Sequence, residues 1–204
     1  MSSLSAIFFD LDGTLVDSSI GIHNGFTYTF EQLGVPSPDA KIIRGFMGPP
    51  LETSFASCLP ANQIETAIQL YRSYYKEKGV YEAQLFPQIK ELLTELAQQY
   101  PLYITTTKNT PTAVHMTANF EIDHFFDGIY GSSPQAVHKA DVIRQALATH
   151  KLDPEKVVLI GDTKFDMIGA QETGIKTLAV TWGFGEEEEL MSYQPDWVAH
   201  QPAD

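Results

Sequence analysis

The sequence predicts an α/β protein: a doubly wound parallel sheet with an inserted α-helical module. Three observations predict it. Ile7, Phe8 and Phe9, and later Val157, Val158, Leu159 and Ile160, are apolar runs with no polar face, as in strands covered on both sides. From Pro87 onward, strand-like and helix-like stretches alternate as in βαβ units. Between these regions, residues 17–83 read as helix, interrupting the alternation. The expected division is therefore a core of residues 1–16 and 84–204 and a helical module of residues 17–83.

The first strand ends in charge. Asp10 and Asp12 fall at its C-terminal end, where a parallel α/β sheet opens its ligand crevice, and Gly13 lets the backbone turn. Two carboxylates one residue apart start on the same side of a strand. Their repulsion is costly unless a cation or a shared proton sits between them.

Within 17–83, Asp17, Ser18 and Ser19 are candidate caps for a helix carrying Ile20, Phe26, Phe30 and Leu33 at helical intervals and ending at Gly34. Pro36-Ser37-Pro38-Asp39 opens a short second helix. Gly45, Gly48, Pro49 and Pro50 interrupt the pattern before it resumes over Leu51 to Leu59. A longer helix is expected from Ala61 to about Lys78, with Ile64, Ile68, Tyr71 and Tyr75 on one stripe and Gly79 as its stop. The chain would cross into and out of this module near Val16 to Ser19 and near Glu82 to Phe86.

Pro87 suits the first turn of a helix ending near Tyr100, with Ile89, Leu92, Leu93 and Leu96 inward. Then follow a strand over Leu102 to Thr106, a helix over Pro111 to Asn119, a short strand over Gly128 to Tyr130 and an amphipathic helix over His138 to His150. After the strand Val157 to Ile160 come a helix through Ala170, a strand over Thr177 to Val180 and an edge strand near Asp196 to Ala199. Glu186 to Glu189 reads as a solvated first helical turn, favoured by the helix dipole.

Composition narrows the function. A 204-residue chain that is 43% hydrophobic suits one globular domain or a domain with a modest insertion. Its net charge of −13 and lack of Lys/Arg runs argue against general nucleic-acid binding. No stretch of about 18 uninterrupted apolar residues occurs, so no membrane partner is expected. The single Cys58 cannot form an intrachain disulfide and reads as a small buried side chain, consistent with a reducing, cytoplasmic location.

Further constellations sit at the other strand ends. Tyr103-Ile104 runs into Thr105-Thr106-Thr107-Lys108, offering hydroxyls and backbone donors. Gly161-Asp162-Thr163-Lys164-Phe165-Asp166 places two acids four apart, on one face if a helix begins there. Two or three carboxylates converging from different strand ends suit a hard cation such as Mg²⁺.

Asp10-Leu11-Asp12-Gly13-Thr14-Leu15 resembles the first motif of the haloacid dehalogenase-like (HAD) hydrolase superfamily, whose members are mostly Mg²⁺-dependent phosphatases. Thr106 occupies the place of its second motif, and Gly161-Asp162 to Asp166 matches its fourth. Lys139 resembles the third-motif lysine, although Ala140 stands where many relatives have proline, and Lys108 and Lys164 compete for that role. The resemblance covers essentially the whole chain. It implies a HAD-like Rossmannoid core with an α-helical cap, in the phosphoglycolate phosphatase-like subgroup.

The roles the resemblance implies follow residue by residue. Asp10 would attack phosphorus, and Asp12 would protonate the leaving group and then take a proton from water. Mg²⁺ would be held by the Asp10 carboxylate, the Asp12 carbonyl and Asp162, with Asp166 acting directly or through water. Thr106 and Lys139 would hold the phosphoryl oxygens. Dehalogenating relatives lack an acid at the Asp12 position, so dehalogenation is not expected.

Substrate choice would lie in the cap, where Arg44 is the candidate contact and His23 and Asn24 lie near the first crossing. The expected partner is a small phosphorylated metabolite, in a monomer or homodimer. A β-phosphoglucomutase-type mutase and a non-catalytic Mg²⁺- or phosphate-binding regulator remain as alternatives.

Overall fold

The computed structural model describes residues 4–204. Its centre is a six-stranded sheet of β1 (Ala6–Phe9), β4 (Leu102–Asn109), β5 (Gly128–Ser132), β6 (Val157–Gly161), β7 (Lys176–Val180) and β8 (Trp197–Ala199). The strand order is β5-β4-β1-β6-β7-β8, and every adjacent pair is parallel. β1 is central, with Phe9 level with Ile104 of β4 and Ile160 of β6. Three apolar strand ends therefore lie side by side, and the acids that follow β1 and β6 meet.

Strand residues alternate between faces, so an apolar run without polar members needs cover on both sides. Ile7, Phe9, Leu102, Ile104, Val158 and Ile160 join one core, which also takes in Ile89 and Leu93 of α5 (Ile89–Leu96). Phe8, Tyr103, Val157 and Leu159 face the other way. There they meet Ile143, Ala146 and Leu147 of α7 (Lys139–His150) and Ala170 of α8 (Lys164–Thr173). The remaining core helices are α6 (Thr110–Asn119) and α9 (Glu187–Ser192), the latter starting in exposed glutamates as expected.

Between β1 and α5 the chain builds α1 (Ser19–Gln32), α2 (Ala40–Arg44), α3 (Leu51–Ala56) and α4 (Ala61–Glu77). Phe26 of α1 is fully buried among Phe46, Phe55 and Tyr71, with ring centroids 4.9, 5.0 and 4.8 Å away. These aromatic contacts run on into the core on that face of the sheet, so the four helices are held by packing as much as by propensity. Where the chain enters and leaves it, β2 (Val16–Asp17) pairs antiparallel with β3 (Gln84–Leu85). Two-residue strands are too short to show a period in sequence.

Two side chains depart from expectation. Ile20 is 62% exposed and not on the inner stripe of α1, whose buried face is formed by Ile22, Phe26 and Phe30. Cys58 is exposed, because α3 ends at Ala56 and Leu59 takes the inward position beyond it.

Candidate active site

The backbone bends after β1 through Gly13 at φ +88°, and a Cβ there would collide with the Asp162 carboxylate. Only glycine permits both the conformation and the approach. The neighbouring Thr14 hydroxyl donates to Asp162 Oδ1 at 2.9 Å, and the Phe184 amide donates to Oδ2 at 2.8 Å. Asp166 is fixed from its own helix start, where the Thr163 amide and hydroxyl donate to Oδ2 at 3.0 and 2.8 Å. Sequence spacing put Asp162 and Asp166 together; Thr14, Thr163 and Phe184 gave no signal of their own.

Asp10, Asp162 and Asp166 are all buried, and each offers an oxygen within 4.8 Å of the others. Lys139, at the first turn of α7, places Nζ 2.6 Å from Asp10 Oδ1 and 2.6 Å from Asp166 Oδ1. Burial pushes the Asp10 carboxyl up to about 7 from 3.8, opposed by Lys139 and reinforced by Asp166. Burial likewise raises Asp162 well above the ordinary carboxylate range, with Asp166 and Asp10 adding to it. For Lys139, burial acts downward but Asp10 and Asp166 outweigh it, and the ammonium is held above its ordinary value.

One lysine against three carboxylates leaves negative charge in a poorly solvated place, which a bound cation relieves. The donor set is carboxylate oxygen only, without nitrogen or sulfur, and fits a hard divalent ion such as Mg²⁺.

Asp12 is not part of this cluster. Its Oδ1 accepts from the Ser18 hydroxyl at 2.5 Å, and its Oδ2 lies 3.0 Å from Lys108 Nζ. Ser18 immediately precedes α1 and makes no side-chain cap; its hydroxyl turns to Asp12 instead. Thr106 is buried within β4, which runs on to Asn109 beyond the expected end, and its Oγ1 accepts from the Lys108 amide at 3.2 Å.

A cavity of about 640 Å³ joins these groups to the helical unit. Asp10, Asp12, Thr106, Lys139 and Asp166 line its floor, and Phe46, Leu51, Tyr71 and Tyr75 lie on the helical side. The loop between α2 and α3 touches the core directly, since the Thr107 hydroxyl donates to the Gly48 carbonyl at 3.1 Å. Gly48 has φ +111°, and a Cβ there would press on the side chains of Phe165 and Thr163.

Arg44 is not in this cavity. It is exposed and lines a separate cleft of about 500 Å³ with His23 and Asn24, because Ile43 takes the inward position of α2. The guanidinium that does line the larger cavity is Arg72 of α4, 3.9 Å from Glu52. Of the competing lysines, Lys164 pairs with Glu189 at 2.8 Å on the surface, and Lys108 serves Asp12.

A parallel α/β core with four acids at adjoining strand ends under a helical unit defines a class: hydrolases that work with buried carboxylates. The chain belongs to the haloacid dehalogenase-like hydrolase family, whose model matches residues 7–180. It is 35% identical over 194 residues to a 5'-nucleotidase of Pseudomonas aeruginosa, covering 93% of this chain and 88% of that protein. Among solved structures, it resembles a haloacid dehalogenase-like family hydrolase from Streptococcus pneumoniae at a TM-score of 0.95 and 72% identity, over 100% of this chain and 97% of the other. A predicted phosphatase from Clostridium acetobutylicum follows at 0.92 and 33%, over 97% and 94%.

Proposed function

We propose that this chain hydrolyses small phosphate monoesters by way of a phosphoryl-aspartate on Asp10, with Mg²⁺ as cofactor. The observation that carries the reading is the division of labour between the two acids of the first turn. Asp10 is buried in the acidic cluster beside Lys139, while Asp12 stands apart from that cluster and lines the same cavity.

Asp10 supplies the nucleophilic oxygen: the bond from its carboxylate to phosphorus forms as the phosphorus–oxygen bond to the leaving group breaks. Asp12 gives its proton to the departing alkoxide. Water then attacks phosphorus, Asp12 takes a proton from it, and the bond to Asp10 breaks, restoring the carboxylate and releasing inorganic phosphate. The Lys139 ammonium and Thr106 hydroxyl stabilise charge on the phosphoryl oxygens, the chief demand of phosphoryl transfer. Asp10, Asp162, Asp166 and the Asp12 carbonyl would hold Mg²⁺, which when bound would supply positive charge to offset that of the phosphoryl group.

We read residues 17–83 as a cap and the paired β2 and β3 as its hinge. The Gly48 contact and the cavity walls then represent a cap seated on the core, excluding water from the site. The substrate class is a phosphoglycolate-like, nucleotide or sugar phosphate ester, supported by the family and by the nucleotidase relative. We place the enzyme in the cytoplasm, where the exposed lone Cys58 stays reduced.

The test is phosphate release from a panel of such esters, with Mg²⁺ or chelator, by the wild type and by Asp10→Asn. Release that needs both Mg²⁺ and Asp10 is expected. Interconversion of sugar phosphate isomers without release would select the mutase, and inertness with Mg²⁺ bound would select the non-catalytic binder.

A further inference from the structure

Lys108 has no role in the chemistry above, yet it touches two residues that do. Its side chain is 8% exposed, its Nζ lies 3.0 Å from Asp12 Oδ2, and its amide donates to Thr106 Oγ1 at 3.2 Å. The same Nζ sits 4.0 Å from the ring centroid of Tyr75 on α4. Tyr75 is buried and stacks on Tyr71 at 5.7 Å and 18° between ring planes, so its position is fixed by the aromatic packing of α4. It is the ring face of Tyr75 that meets the ammonium.

We propose that Lys108 is a positioning residue that fixes the Asp12 carboxylate for proton transfer, and that Tyr75, standing over it, makes this alignment depend on the seated helical unit. The proposal rests on the assignment of Asp12 as the proton donor.

The physical argument has three parts. A lysine stem is flexible, and a lysine at the mouth of a cavity ordinarily spreads over many rotamers. Enclosure beneath an aromatic face confines the ammonium to one place, which pre-organises whatever it holds. As Asp12 passes its proton to the leaving alkoxide it becomes an anion, and an ammonium already in place stabilises that anion without reorganisation. Ser18 holds the other Asp12 oxygen from the hinge, so both oxygens are referred to elements that border or belong to the helical unit. If the unit swings away, the Tyr75 ring leaves Lys108 to water and the acid loses one of its two supports.

A second argument separates this pair from a merely structural one. Burying an ion pair is a poor route to stability, because two apolar side chains of similar volume serve as well or better. The pair is therefore better explained by what it does to Asp12 than by what it adds to the core.

The experiment compares kcat/KM for two esters, an alkyl phosphate and p-nitrophenyl phosphate, in the wild type, Lys108→Met, Lys108→Arg, Tyr75→Leu and Asp12→Asn. kcat/KM reports phosphoryl transfer to Asp10, and only the alkyl leaving group needs a proton. Lys108→Met and Tyr75→Leu are expected to lower the alkyl value by about tenfold or more while lowering the nitrophenyl value less than about threefold, the selectivity of a weakened general acid. Asp12→Asn should show the same selectivity more strongly, and Lys108→Arg should recover part of the alkyl rate. Amide hydrogen exchange at Val16 to Ser19 should rise in Lys108→Met if the contact to Tyr75 seats the helical unit.

Equal losses on both esters, or alkyl turnover unchanged in Lys108→Met while Asp12→Asn retains its selectivity, would overturn the proposal and leave the phosphatase reading intact. Absence of Asp10-dependent release in the wild type would overturn both as chemistry, and unchanged hinge exchange would then dispose of the seating role as well.

Discussion

Lys139 Nζ lies 2.6 Å from Asp10 Oδ1, although the two residues are 129 positions apart in the chain. That contact, with the same Nζ 2.6 Å from Asp166, is the charge balance of the site. Lys139→Met removes the cation and leaves buried carboxylates facing one another. The metal-free variant should lose about 3–5 kcal/mol of stability, as for other broken buried ion pairs. Urea denaturation in chelator measures this, and Mg²⁺ should restore part of the loss. Activity should fall by about 10²–10³-fold, the scale of removing one donor to a charged transition state.

The acidic triad makes a separate prediction for metal binding. Mg²⁺ at about 100 times its Kd should stabilise the wild type by about 2.7 kcal/mol through mass action, visible as a concentration-dependent rise in Tm. Asp162→Asn removes one ligand and one source of repulsion. Its metal-free form should be at least as stable as the wild type, and its Tm should respond much less to Mg²⁺.

The pH dependence of the metal-free protein follows from Asp10. Its carboxyl is held at about 7 in the folded state against 3.8 ordinarily, so the folded state binds this proton more tightly than the unfolded chain does. Stability from this group is fully present below pH 3.8 and is lost as pH rises towards 7, at no more than about 1.4 kcal/mol per pH unit. Denaturation in chelator at several pH values should show that fall, and Asp10→Asn should flatten it.

Gly13 tests how closely the first turn is built around Asp162. Gly13→Ala forces a side chain into φ +88° and into the Asp162 carboxylate. The conformation alone costs about 1–2 kcal/mol. Displacement of Asp162 should in addition weaken the Mg²⁺-dependent rise in Tm, so a variant that folds and keeps the full rise would contradict the arrangement.

Much of this was legible in the sequence because it is local. Asp10 and Asp12 at a strand end, and Asp162 and Asp166 at a helix start, are short-range patterns, and two-sided apolar strands such as Phe8-Phe9 announce a covered parallel sheet. What was not legible depends on which strands lie side by side. Lys139 came into the site through resemblance, since nothing in its own neighbourhood points to Asp10. In the sequence Lys108 is only a rival to Lys139, because its partner Asp12 reaches it across the β1–β4 pairing and Tyr75 from the helical unit. Arg44 is the cation beside a Gly/Pro loop, but a five-residue helix gives too few turns to tell its inward face, and Ile43 takes it. Cys58 reads as buried because its small apolar neighbours do not reveal that the helix has already ended.

The central claim is that Asp10 carries the phosphoryl group, and rapid acid quench during turnover followed by peptide mapping tests it most directly. The account predicts phosphate on the Asp10 peptide in the presence of Mg²⁺, and none with chelator or in Asp10→Asn. Steady turnover with no phosphorylated protein trapped, or phosphate mapped to another residue, would contradict it.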